Sequence, residues 1–287
     1  MFLVLIYIYK VMKFAFIVMY ELRSIKKTID NIQKYIIDYY NADVFIICQK
    51  QFIDDEENSK LFTKNVKITI LYDKPDPIKY FGKNSNMCLP NGDGSWNTYG
   101  NSQIYINNNE VSKYIKQYVN DYDYFINIRI DSEILFDFPP IELFEKIPYS
   151  VYTLSPNYCQ SWGGSGAGNF IHKNFIMDYL TSYNDILISD KYRNLIMSKL
   201  SDNFNQEKLL NLSLELKNIK MIHIKNINIY YTGESLNDYT TWSKFIVHPT
   251  HNVICKYIDQ CSEAYESLNM WVNGKRWEYE NNCVLLK

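Results

Sequence analysis

Several features that mark common classes of protein are scarce in this sequence of 287 residues. It has no excess of basic residues, since 30 lysines and arginines stand against 32 aspartates and glutamates. Proteins that bind DNA or RNA neutralise phosphates with clustered positive charge, so this balance argues against a nucleic-acid partner. Its six cysteines form no C-x-x-C pair, which argues against a structural zinc site, and six cysteines in a chain this long are not a disulfide framework. Reduced thiols in a cytoplasmic compartment fit this usage best.

The sequence also lacks a clean membrane-spanning or signal segment. The apolar stretch at residues 1–20 is interrupted by Lys10 and Lys13, whereas a spanning helix needs about 20 apolar residues without central charges. A signal peptide places its positive charge first and a small-residue cleavage site after it. We therefore expect a cytoplasmic protein with no stable membrane span, in which residues 1–12 form an extension and Met12 is an alternative start. A membrane-contacting tail is the other interpretation.

The apolar residues that are present follow the periods of strands and helices. Short apolar runs predict strands at residues 14–19, 43–48 and 66–72, and a stripe of isoleucines predicts a helix at residues 23–40. Alternating strands and helices imply right-handed crossovers and a parallel, doubly wound α/β sheet. Later strands are predicted at 124–130, 150–154, 221–224 and 227–231, and later helices at 107–119, 139–146, 174–183 and 206–216.

No repeat or linker divides the chain. We expect one domain over residues 13–240, with residues 241–287 packing on the same domain. A glycine-rich segment, WGGSGAGN, occupies residues 162–169. It lacks the lysine of a phosphate-binding P-loop. Because glycine allows close backbone approach, the segment is predicted either to contact an acceptor or to be a plain loop. Its candidate contact residues are Trp162, Gly164, Gly166 and Asn169.

The strongest chemical signal is the segment YDYFINIRIDSE at residues 122–133. A buried strand there ends in Arg129, Asp131 and Glu133, and ligands of open α/β sheets bind beyond the carboxyl ends of strands. Two carboxylates two residues apart suit Mg²⁺ or Mn²⁺ bound together with substrate phosphates. The alternative is a strand end closed by an arginine–carboxylate pair. Arg129 is a candidate to bind a phosphate or to hold Asp131 in position.

A second signal lies at the junction of the first strand and the first helix. Tyr20, Glu21 and Arg23 fall there, where main-chain N–H groups and the helix dipole favour anions. Arg23 is therefore a candidate to hold a nucleotide diphosphate, and a surface arginine is the alternative. His248 and His251 are candidates for one late metal ligand, although isolated histidines are more often structural.

These segments, in this order, resemble a family of GT-A-type glycosyltransferases found in polysaccharide gene clusters and large DNA viruses. The matching pieces are FAFIVMYELRS, NADVFIICQK, YDYFINIRID and EKLLNLSLEL, at residues 14–24, 41–50, 122–131 and 207–216. Two departures stand out. The family's glycine in the first turn is replaced around Tyr20 and Glu21, and the family's loop aspartate is missing from GSGAGNFIHKNFIM.

The resemblance implies a GT-A-like fold, a mostly parallel sheet flanked by helices, and a metal-assisted glycosyltransferase. Asp131 and Glu133 would form a DxD-like motif for Mn²⁺ or Mg²⁺, and Tyr20, Glu21, Arg23 and Arg129 would contact the donor. The donor would be a nucleotide-diphosphate sugar and the acceptor a glycan or glycoprotein. Because the loop aspartate is missing, the acceptor-side carboxylate would come from elsewhere, and the candidates are Glu207 and Asp178.

Two other functions fit the sequence. A catalytically inactive module that binds glycans or nucleotides would keep the scaffold without the base. A nucleotidyltransferase would use a similar sheet, but it would need a glycine-rich basic loop after the first strand, where this chain has MYELRS.

Overall fold

The computed structural model describes residues 11–19, 25–50, 65–76, 100–154, 168–188, 195, 198, 206–232 and 246–287. Strands and helices alternate along most of this part of the chain. The elements are β1 (Phe14–Val18), α1 (Ile25–Ile32, continued by a π-helical segment Gln33–Asp38), β2 (Asp43–Gln49), β3 (Val66–Tyr72), α2 (Gly100–Ile115, continued by a 3₁₀ segment Lys116–Asp121), β4 (Tyr124–Ile128), β5 (Ser132–Ile134), α3 (Ile141–Lys146), β6 (Val151–Leu154), β7 (Gly168–His172), α4 (Lys173–Ile188), α5 (Gln206–Leu216), β8 (Met221–Ile224), β9 (Ile229–Tyr231), β10 (Ile246–Val247), β11 (Ile254–Cys255), α6 (Ile258–Val272), β12 (Trp277–Glu280) and β13 (Cys283–Leu286).

The central sheet has the strand order β12-β13-β8-β6-β7-β4-β1-β2-β3 over the described residues. Neighbouring strands are parallel except at β7, which is antiparallel to β4 and β6, and at the edge strand β12. Two small antiparallel pairs, β5–β9 and β10–β11, lie outside it. The predicted α/β architecture, a mostly parallel sheet flanked by helices, is confirmed.

Alternation along β1 shows how the sheet is covered on both faces. Phe14 and Phe16 pack with buried residues of α1 and α3, whereas Ala15 and Ile17 pack with residues of α2, α4 and α5. Every residue of β1 is buried, as expected of a central parallel strand. Each fully buried phenylalanine contributes roughly 1.5–3 kcal/mol relative to an exposed one. The central strands are therefore a rigid support for whatever lies at their ends.

The register of the parallel strands defines two edges of the sheet. Phe16 pairs with Ile126 and with Val44, so β1, β2 and β4 begin and end at similar levels. We call the edge where β1, β2, β3 and β4 end the carboxyl edge, and the opposite one the amino edge. The antiparallel strand β7 starts at the carboxyl edge, because Gly168 pairs with Ile128.

Gly168 is required at that start by close packing. A Cβ atom placed there would lie 2.7 Å from Ile128 Cγ1 and 3.3 Å from the carbonyl oxygen of Asn127. Separations below about 3 Å force a neighbour to move, and cores tolerate added atoms poorly. The last glycine of the predicted loop region therefore fixes how closely β7 approaches the end of β4.

The C-terminal part of the chain extends the same sheet. Strand β13 pairs in parallel with β8, and β12 pairs with β13 as the edge. Trp277 Nε1 donates to the carbonyl oxygen of Asp137 at 2.9 Å, and its ring stacks on Phe136 with a centroid separation of 5.9 Å. Across the ranges that the structure describes, no helix is both long and apolar enough to cross a bilayer.

Candidate functional site

An ion pair closes the carboxyl end of β4. Arg129 Nε donates to Asp131 Oδ1 at 2.9 Å, and Arg129 Nη2 donates to Asp131 Oδ2 at 2.6 Å. The carbonyl oxygen of Asp131 accepts from Thr232 N at 2.8 Å and from Thr232 Oγ1 at 3.2 Å. Asp131 is 7% exposed, whereas a third of the Arg129 side chain, 33%, reaches solvent. The two-point geometry fixes the plane of the guanidinium group.

Aromatic rings and a second cation surround this pair. The Arg129 guanidinium lies 4.2 Å above the ring of Tyr231, and Tyr231 meets the ring of Tyr257 edge-on at 5.9 Å. Lys256 Nζ lies 5.0 Å from the Tyr257 ring centroid, and Lys256 N donates to the carbonyl oxygen of Tyr231 at 3.0 Å. Each basic side chain therefore lies against a tyrosine face, and the charge of Lys256 also acts on Asp131.

The electrostatics of the pair favour its charged form. Burial by itself raises the pKa of the Asp131 carboxyl, but the charges of Arg129 and Lys256 and the hydrogen bonds from Arg129 outweigh it, so the pKa is lowered. Burial likewise opposes charge on Arg129, and Asp131 reverses that effect, so the pKa of the guanidinium is raised. Two cations then act on one anion, so the cluster of Arg129, Asp131 and Lys256 carries one net positive charge.

Helix α1 fastens the segment that follows β4. Thr28 Oγ1 donates to the carbonyl oxygen of Ile130 at 2.5 Å. The Asn31 side chain bonds both main-chain groups of Ile134, since Nδ2 donates to its oxygen and its N–H donates to Oδ1, each at 2.8 Å. The Asn31 side chain therefore forms the same pair of hydrogen bonds with Ile134 that a neighbouring strand would form. These bonds tie the segment that contains Asp131 to α1.

Glu133 faces a different neighbourhood from Asp131. Its Oε1 accepts from Asn31 Nδ2 at 3.1 Å, and burial raises the pKa of its carboxyl group. Over the described ranges, no three acidic, histidine or cysteine side chains lie close enough to hold a metal ion. The arginine–carboxylate pair that the sequence offered as an alternative is present, and the metal role of Asp131 and Glu133 stays a prediction.

Asn169 is buried in the sheet beside β4. It is 3% exposed and pairs across the strands with Asn127. The Asn169 amide donates to Tyr179 Oη at 2.9 Å, and the Asn127 amide donates to the same oxygen at 3.4 Å. This hydroxyl bridges β4, β7 and α4 just inside the carboxyl edge.

Several predicted site residues lie outside the described part of the chain. Those positions are Tyr20, Glu21, Arg23, Trp162, Gly164 and Gly166, together with the side chain of Glu207 in the first turn of α5. Asp178, the other candidate carboxylate, forms an ion pair with Lys217 at 2.8 Å.

The two late histidines form a stack with Tyr265. His248 Nδ1 accepts from the main-chain N–H groups of Thr250 and His251, at 3.3 and 3.2 Å, and its Nε2 lies 3.0 Å from Ser262 Oγ. His251 stacks on Tyr265 with centroids 3.6 Å apart. Burial lowers the pKa of His248, and the neighbouring His251 adds to this effect. Both nitrogens of His248 therefore have structural partners.

Lys256, Tyr231 and Thr232 are site residues that the sequence reasoning missed. They come from β9 and the end of β11, about a hundred residues beyond Asp131 in the chain. The sequence did contain a signal for them. Tyr230-Tyr231 ends a predicted strand, and Lys256-Tyr257 places a basic residue next to a tyrosine just after the short strand β11.

Comparison with known proteins gives distant structural likenesses. No family model and no curated protein sequence matches the chain. Among solved structures, mouse xyloside xylosyltransferase 1 is similar with a TM-score of 0.46 and 8% identity, over 74% of this chain and 84% of that one. A glycosyltransferase involved in glycosylation of the major capsid of PBCV-1 is similar with a TM-score of 0.32 and 8% identity, over 75% and 83% of the two chains.

Proposed function

We propose that this chain is a GT-A-like glycosyltransferase that moves a sugar from a nucleotide-diphosphate sugar to a hydroxyl group of a glycan or protein. The observation that carries the proposal is the positively charged cluster of Arg129, Asp131 and Lys256 at the carboxyl edge. Ligands of open α/β sheets bind at this edge, and a diphosphate needs positive charge there.

Arg129 is proposed to bind the donor's diphosphate. A guanidinium has five N–H donors, and Asp131 accepts from two nitrogens, Nε and Nη2. The remaining N–H groups and the solvent-exposed third of the side chain can meet phosphate oxygens. Because Asp131 fixes the plane of the group in advance, little reorganisation is needed when the ligand arrives.

Lys256 is proposed to share the leaving-group charge. When the sugar–phosphate bond breaks, negative charge grows on the nucleoside diphosphate, and preorganised cations stabilise it. Lys256 is held by its main-chain bond to Tyr231, the residue on which Arg129 stacks. The two residues thus both contact Tyr231 and would act on one diphosphate.

Mn²⁺ or Mg²⁺ would have to be held by Asp131 and Glu133 with phosphate oxygens. Arg129 bonds both Asp131 oxygens and Asn31 bonds Glu133 Oε1, but each carboxylate oxygen keeps a further lone pair, so an ion would bind beside these hydrogen bonds. The cations that act on Asp131 among the described residues are Arg129 and Lys256, and the proposed chemistry is assigned to them. Metal dependence is tested by comparing turnover in EDTA with turnover in added Mn²⁺.

The test is a screen of nucleotide sugars for donor hydrolysis and transfer. We expect at least one donor to be turned over by the full chain, and the Arg129→Gln variant to be slower by roughly 10²–10³-fold, the range seen when one charge-stabilising donor is removed. Arg276→Gln is the matched control. The Arg276 guanidinium also lies over an aromatic ring, 4.5 Å from the centroid of Trp271, but Arg276 is exposed and immediately precedes the edge strand β12. Binding of nucleotide without any turnover would identify an inactive module instead.

A further inference from the structure

A second recess lies at the amino edge of the sheet, opposite the proposed donor site. It has a volume of about 300 Å³, near the lower end of the range for small-molecule sites. We call it the amino-edge pocket. It is lined by Lys13, Phe14, Asn41, Asp43, Asn65, Lys67, Asp121 and Tyr122.

The walls of the amino-edge pocket are held by bonds between the turns that precede β2 and β3. Asn41 and Asn65 have left-handed backbones, with φ of 48° and 59°, which asparagine adopts more readily than most residues. Val44 N donates to the oxygen of Asn65 at 2.8 Å, and Asn65 Nδ2 donates to the oxygen of Ala42 at 3.2 Å. The two turns therefore form one fixed wall.

One hydrogen bond orients a carboxylate in that wall. Tyr122 is 4% exposed, and its hydroxyl donates to Asp43 Oδ2 at 2.6 Å. This bond fixes the Asp43 side chain, and Oδ1 accepts from none of the described residues, so it can accept from a ligand. A preorganised acceptor of this kind lowers the conformational cost of binding.

The charges around the pocket balance. Two lysines, Lys13 and Lys67, stand against two aspartates, Asp43 and Asp121, and Asn41 adds a group that both donates and accepts. A phosphate would meet two carboxylates, and a cation would meet two ammonium groups. A neutral molecule with many hydroxyls fits both kinds of partner, because each hydroxyl donates once and accepts twice.

We propose that the amino-edge pocket binds one neutral sugar residue of a glycan. The inference rests on the proposed function, since a glycan acceptor is what would bring sugars to this chain. The strands between the two edges have about five residues, which separates the edges by roughly 15 Å at about 3.3 Å per residue. Because helices cover both faces of the sheet, an acceptor chain would pass around them, so the pocket would hold a sugar residue several units away from the reacting end of the glycan.

The test is saturation-transfer NMR on the full chain with D-glucose, D-galactose, D-mannose and D-xylose, in excess UDP to occupy the donor site. We expect transfer to at least one sugar. The double variant Lys13→Met/Lys67→Met should weaken binding of that sugar by roughly tenfold or more, because two charged donors are removed. The exposed pair Lys146→Met/Lys275→Met is the matched control and should bind like the native protein.

Three results would overturn the inference. They are transfer to none of the four sugars, equal binding by the Lys13→Met/Lys67→Met variant, and displacement of the sugar by inorganic phosphate, which would mark an anion site. None depends on catalysis, so failure here is separate from failure of the proposed function. Loss of donor turnover in Arg129→Gln with sugar binding intact would support the pocket as an independent site.

Discussion

The two edges of one sheet differ in how their charges are arranged. At the carboxyl edge, the buried Asp131 carboxylate is paired with Arg129 and feels the charge of Lys256, so this cluster of three carries one net positive charge. At the amino edge, Lys13, Lys67, Asp43 and Asp121 stand mostly exposed and cancel. The difference indicates that the first edge suits a charged phosphate and the second suits a neutral ligand, although both are built on the same strands.

Removing the carboxylate of the carboxyl edge should have the largest effect. Asp131→Asn keeps the shape but leaves Arg129 without its ionic partner, so we expect donor turnover to fall by about 10²-fold or more. We also expect a loss of about 1–3 kcal/mol in the free energy of unfolding, measured in urea. Asp178→Asn is the matched control, since its pair with Lys217 is more exposed, with 45% of the Asp178 side chain open, and should cost less than about 1 kcal/mol. Equal losses of unfolding free energy in the two variants would contradict the special role of Asp131.

Adding one methyl group at the start of β7 should be the next largest change. In Gly168→Ala, the new Cβ meets Ile128 and the Asn127 oxygen at short distance, so we expect a cost of about 1–3 kcal/mol in unfolding free energy. Turnover should also fall, because the end of β4 must shift and Arg129 follows it. Gly274→Ala is a useful contrast, since nothing lies near its Cβ but its φ is +89°. That variant should lose stability without losing turnover.

The two acidic residues after β4 should respond to pH in opposite directions. The pKa of Asp131 is lowered by its cationic neighbours, so its stabilisation is complete above the ordinary value of 3.8 and is lost as the pH falls through the lowered pKa. The pKa of Glu133 is raised by burial, so its ionisation costs stability as the pH rises above the ordinary value of 4.5. Urea midpoints measured from acidic to neutral pH, with each carboxyl neutralised in turn, separate the two contributions.

The smallest effect is therefore expected at Glu133. Glu133→Gln keeps an acceptor for Asn31 and removes the cost of burying charge, so stability near neutral pH should be unchanged or higher by less than about 1 kcal/mol. The difference from the native protein should shrink as the pH falls below about 4.5. A destabilised Glu133→Gln variant with lower turnover would instead favour the metal-binding interpretation of this carboxylate.

The sequence predicts the central strands because their periodicity is local. The runs at residues 14–19, 43–48 and 66–72 are strands β1, β2 and β3, and the strand predicted at 124–130 ends earlier, at Ile128. It ends there because its partner β7 begins at Gly168, opposite Ile128, and the chain then turns toward α1, where Thr28 binds Ile130. Neither the pairing with β7 nor the bond from Thr28 can be read from the sequence of residues 124–130 alone.

The rest of the site depends on contacts between distant parts of the chain. Arg129 and Asp131 are close in sequence, so their pairing was open to prediction. The positions of Tyr231 and Lys256 beside them follow from the β5–β9 pairing and the bond between Lys256 and Tyr231. The late strands β12 and β13 were missed for the same reason, although the alternation in WEYE at residues 277–280 was a usable signal.

The most direct test of the carboxyl edge is calorimetric titration of UDP and GDP into the full chain in EDTA. We expect at least one nucleotide to bind, and the double variant Arg129→Gln/Lys256→Met to bind it at least about tenfold more weakly, while Lys13→Met/Lys67→Met binds it unchanged. Equal affinity in the Arg129→Gln/Lys256→Met variant, or binding only when Mn²⁺ is added, would contradict a diphosphate site made by these two cations.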